Sequence, residues 1–174
     1  MKDLNKENWL QIDPIIASGI FVWMSLADGS VESITADDWV ARLVSINLSS
    51  KVPEEVRTLF AVARGAMVYG GLFYPLFTLG LEQVLRVAEA GVRAKASAMG
   101  LGDKGNFVAI LEKLRAQGIL SENEHAQWSV VRRFRNATTH SGEQMILPPG
   151  VAIGTFASLA KLINRLFDPQ EVAC

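Results

Sequence analysis

Three side chains in the C-terminal half have the types and spacing for phosphate chemistry: Arg135, Asn136 and His140, in the run Arg135-Asn136-Ala137-Thr138-Thr139-His140. A guanidinium makes two parallel charge-assisted bonds to a phosphate. An imidazole, with an ordinary pKa near ~6.5, can take or give a proton at neutral pH. Asn136 stands one turn before His140, so its amide could orient the imidazole or bond a phosphate oxygen. Each residue also has a plainer reading. Arg135 could be a surface arginine favourable to the helix dipole, His140 a residue bonding the last helical carbonyls, and Asn136 a surface amide.

The element that must carry them starts at a capping box. Ser121 and Glu124 stand three apart, which predicts a helix from Glu122 to about His140. Placed at ~100° per residue, Ala126, Val130, Phe134 and Ala137 form an apolar stripe, and Arg132, Arg135, Asn136, Thr139 and His140 share the other side. The expectation is that the stripe packs and the opposite face presents cations. Arg132, one turn before Asn136, could extend a phosphate contact or simply be solvated; Arg133 points about 100° away from it. Trp128 projects from the polar side, where it could stack a base or fill a dimer contact. His125 stands ~22 Å of helix from His140 and reads as a surface histidine.

The run resembles the RxxxxH signature of the HEPN family, small all-helical domains that often act as metal-independent endoribonucleases. Asparagine in second place is the polar residue the family favours, and here too a capped helix ends in the motif with one more helix after it. The resemblance spans roughly residues 53–167 and includes a long preceding helix centred on FTLGLEQVLRVAEA. It implies an up-and-down bundle of the HEPN type, and Glu82 as the acid bracing the motif arginine; a surface carboxylate is the alternative. It also implies a homodimer that joins two histidines and two arginines in one cleft. Metal-free RNA cleavage needs a base for the 2′-OH, positive charge near the phosphorane and an acid for the 5′-oxygen. One imidazole cannot be both acid and base at once, and two copies would supply the pair. The product would carry a 2′,3′-cyclic phosphate. A toxin or defence role follows, with an antitoxin or regulatory protein as a possible partner. A non-catalytic scaffold that binds a nucleotide or partner is the alternative.

Composition bounds these readings. The chain has 174 residues, enough for one domain with a sizeable core, and 49% of them are hydrophobic, which excludes a disordered chain. A net charge of −1 gives no global attraction to nucleic acid, so RNA binding requires a local patch, of which Arg132, Arg133 and Arg135 are the densest. A single cysteine, Cys174, excludes an internal disulfide framework and a cysteine metal site, and no His or Cys cluster has metal spacing. No cofactor is implied: Gly100-Leu101-Gly102 lacks the lysine and strand of a phosphate loop. The polar N-terminus carries no secretory signal, and a cytoplasmic location is expected. An uncharged stretch between Arg64 and Glu82 falls short of the ~20 residues a membrane span needs, and Gly70, Gly71 and Pro75 break it.

The remaining elements follow in order. Asp13-Pro14 predicts a helix through Ile16, Ile20, Trp23, Met24 and Ala27, closed at Gly29, with a strand over Ser18 to Leu26 as the competing reading. Thr35 and Asp38 cap a second helix. These two make an N-terminal extension, residues 1–52, packed on a HEPN-like bundle, residues 53–174. The bundle opens at Pro53 with Val56, Leu59, Phe60, Ala63 and Met67 expected inward. A long helix from Pro75 to Met99 follows, stopped by Gly100 and Gly102, and the two should pack antiparallel. Asn106 caps a shorter helix ended by Gly118. Beyond His140, Ser141 to Gly150 reads as a loop before a last helix through Phe156, Leu159, Ile163 and Leu166.

Overall fold

A computed structural model describes residues 2–17, 22–24, 31–33, 35–140 and 149–168. It is a helical bundle: α1 (Pro14–Ala17), α2 (Ala36–Ser45), α3 (Glu54–Tyr69), α4 (Pro75–Ala98), α5 (Phe107–Ala116), α6 (Glu122–His140) and α7 (Pro149–Phe167). One short antiparallel hairpin is added, β1 (Val22–Met24) with β2 (Val31–Ser33), in which Trp23 stands opposite Glu32. No helix among the described residues is long and apolar enough to cross a membrane.

α4 is the axis of the molecule. Phe77, Leu81, Val84, Leu85, Val87, Ala88 and Val92 are all buried along it, so it is apolar on more than one side and takes α3 on one flank and α7 on another. α3 runs back along α4: Met67 lies at Gly80 and Val56 lies near Gly91. A Cβ on Gly80 would stand 2.7 Å from the Met67 Cγ and 3.1 Å from the Ala63 carbonyl oxygen. Only a residue without a side chain lets the two backbones come this close. Phe60 of α3 stacks on Phe156 of α7 with ring centroids 4.7 Å apart, joining the two helices that flank α4. Its neighbour Leu59, expected inward, is exposed.

The helix ends follow their local chemistry. Asn106 Oδ1 accepts from the Ala109 N–H at 2.8 Å to start α5. Gly100 and Gly118 take φ of +69° at the ends of α4 and α5, a conformation that glycine adopts without strain. The loop expected after His140 lies at 141–148, outside the described residues; Pro149 and Gly150 already belong to α7, with proline at its first position.

The N-terminal segment departs from expectation. The helix predicted through Ala27 ends at Ala17, and Val22–Met24 is a strand, as the competing reading had it; the predicted stop at Gly29 lies outside the described residues. Gly19 follows the single helical turn, and Val22 and Trp23 favour a pleated surface, so helix propagation had little to gain there. Asp13 still caps α1, but it does more. Fully buried, it accepts from the Ile15 N–H at 3.0 Å and from the Tyr74 N–H at 3.1 Å, while its own N–H donates to the Gly71 carbonyl at 3.0 Å. One carboxylate thus locks the N-terminal segment onto the α3–α4 corner. Trp39 of α2 reaches the same corner, donating to the Met67 carbonyl at 3.3 Å and meeting Phe77 edge to face. The linker before α3 is held by Asn164 of α7, whose amide accepts from the Ser49 N–H and donates to the Asn47 carbonyl.

Candidate functional site

α6 begins at the expected box. Glu124 Oε2 accepts from the Ser121 N–H at 2.9 Å and from its hydroxyl at 2.7 Å, and Ser121 Oγ accepts from the Glu124 N–H at 3.3 Å. The helix then turns a different face inward from the one its apolar periodicity predicts. Trp128 is 1% exposed and Val131 is buried, whereas Val130 is 54% exposed and Ala126 and Ala137 face out. Trp128 is therefore a core residue; it neither stacks a base nor fills a dimer contact. Burying an indole together with Val131 removes more apolar area from water than burying Val130 and two alanines.

That rotation carries Arg135 toward α4. Its Nη2 donates to Glu89 Oε2 at 2.8 Å, and the other oxygen of Glu89 accepts from Arg93 one turn along α4. Glu89 is 13% exposed and the two guanidiniums are about one third exposed. Arg93 also donates to the Asp103 and Gly105 carbonyls, so the network spans α4, the α4–α5 loop and α6. The acid that braces the motif arginine is thus Glu89, not Glu82. Glu82 lies two turns earlier on α4, half-buried, with no ion pair to Arg135. An i,i+4 Glu-Arg pair, Glu89 with Arg93, was the available signal.

Glu89 thus faces two guanidiniums at a partly exposed position. Elsewhere on α6, Asn136 and Arg133 are exposed and Arg132 is half-buried; neither Arg132 nor Arg133 has an ion-pair partner among the described residues. The backbones of Thr139 and His140 form the last turn of α6, and their side chains lie outside what is described. His125 is not the surface residue expected: its side chain is 16% exposed and its Nε2 lies 3.1 Å from Glu112 Oε1, linking α6 to α5. Arg115 joins this contact through both Glu112 and Glu122, and the two acids hold its guanidinium pKa above the ordinary value.

No protein-family model, curated protein or solved structure matches this chain.

Proposed function

We propose that this protein is a HEPN-type, metal-independent endoribonuclease that works as a homodimer with a composite cleft. The observation that carries this reading is the Glu89-held Arg135. A guanidinium meant to grip a phosphate gains from being fixed before the substrate arrives, because its rotamer entropy is then already lost. Arg135 carries five N–H donors in a planar fork, a geometry that matches phosphate oxygens, and Glu89 fixes its position through Nη2. Asn136 stands exposed beside it and His140 closes the same helix, in the order that the RxxxxH resemblance implies. Arg132 and Arg133 would extend the backbone contact. In this reading His140 from one subunit takes the 2′-OH proton and its mate protonates the 5′-oxygen, with the arginines stabilising the phosphorane.

The test is an unstructured RNA incubated with the purified protein in EDTA. Cleavage leaving a 2′,3′-cyclic phosphate, lost in His140→Ala and reduced at least ~100-fold in Arg135→Ala, is the expected result. No cleavage by the wild type, or equal cleavage by His140→Ala, rejects it. The Glu89–Arg93 network also favours a second reading, in which Arg135 serves only to hold α6 on α4 and the domain is a non-catalytic scaffold. Under that reading Arg135→Ala lowers stability and the wild type leaves RNA intact.

A further inference from the structure

A second feature of α6 lies on its other flank. Val130 and Phe134 stand about 160° or less around the helix from Asn136 on the side facing α7, and with α7 they bound an open groove of about 780 Å³. Its floor is the buried trio Leu85, Val131 and Leu159. Val130 and Val151, each more than half exposed, rise at its edges. α7 contributes positions from Val151 to Arg165, a stripe ~21 Å long, the length of about four helical turns. Where a second helix would cross, the stripe is small: Gly154, Thr155 and Ser158, and a Cβ built on Gly154 meets nothing within 4 Å.

Among the described residues the charge along this groove has one sign. Lys161 and Arg165, one turn apart, line it, both exposed, and no carboxylate among the described residues does. Neither cation has an ion-pair partner among the described residues. We propose that the α6–α7 groove is the docking site of an acidic amphipathic helix from a partner protein. Its apolar stripe would cover the exposed valines and Phe134, and carboxylates on its flank would meet Lys161 and Arg165. Apolar anchors at i, i+4 spacing in an open groove are how such helices are recognised, and opposite charge on the rim sets their orientation. The inference holds whether or not the protein cleaves RNA.

The probe is a fluorescein-labelled synthetic peptide of about four helical turns, with leucines on one stripe and glutamates along its flanks. A twin carries lysine at every glutamate. Fluorescence anisotropy should show saturable binding of the acidic peptide and at least about tenfold weaker binding of the twin. The double variant Lys161→Glu, Arg165→Glu should reverse that preference. Ser158→Trp, which fills the groove from an exposed position, should abolish binding while circular dichroism stays unchanged. No saturable binding, equal affinity for the two peptides, or binding undisturbed by Ser158→Trp overturns the proposal. So does a wild-type dimer that Ser158→Trp splits in sedimentation, since a second copy would then occupy the groove. RNA cleavage by the same variants reports on the nuclease reading separately.

Discussion

At the scale of single residues, Glu89 decides what Arg135 can do. Replacing it by glutamine keeps the shape and removes the charge that two guanidiniums share. With both arginines about one third exposed, solvent screens much of the loss, and we expect a destabilisation of roughly 1–2 kcal/mol in urea unfolding. Glu82→Gln should cost less than about 0.5 kcal/mol. Equal effects at the two positions would show that the brace is misplaced. A second residue-scale prediction concerns pH. The Thr35 hydroxyl and backbone N–H both donate to Asp38 and hold its pKa below the ordinary 3.8. A depressed carboxyl stabilises the fold above its unfolded pKa, and that contribution is lost as pH falls through the folded value. In an NMR titration Thr35→Ala should return Asp38 toward 3.8; an unchanged midpoint would break the assignment.

At the scale of elements, α6 tests which face is inward. Trp128→Ala should cost about 3–5 kcal/mol and Val130→Ala less than about 1 kcal/mol, measured as unfolding free energies. The opposite ranking would restore the face that periodicity alone predicts. Gly80 of α4 and Gly154 of α7 should likewise part company. Gly80→Ala pushes against Met67 and should destabilise by ~1–3 kcal/mol, whereas Gly154→Ala meets open space and should stabilise by up to ~1 kcal/mol. Helix positions were legible because caps are local: Thr35 with Asp38, Ser121 with Glu124 and Asn106 each mark a start that depends on four residues. The face of α6 was not, since an apolar stripe weighted residue by residue gives two alanines more say than one tryptophan. Nor was the partner of Arg135, because the choice between Glu82 and Glu89 depends on how far α6 slides along α4. The hairpin failed for the same reason, its pairing resting on contacts outside the segment.

At the scale of the whole molecule, the nuclease reading depends on stoichiometry. If one subunit's imidazole is the base and its mate's the acid, a dimer with a single His140 is inactive. Wild-type and His140→Ala subunits mixed in equal amounts and allowed to exchange form three closed dimers, of which only about a quarter keep both imidazoles. RNA cleavage per wild-type subunit should therefore fall to about half of its unmixed value under the composite arrangement. Independent sites would leave it unchanged. The measurement needs only exchange confirmed by a size tag on one partner and a fluorescent RNA substrate. Circular dichroism and urea unfolding of His140→Ala should match the wild type, which separates a loss of activity from a loss of fold. An unchanged specific activity in the mixture would leave each subunit to complete its chemistry alone, and then a second proton carrier must be sought within one chain.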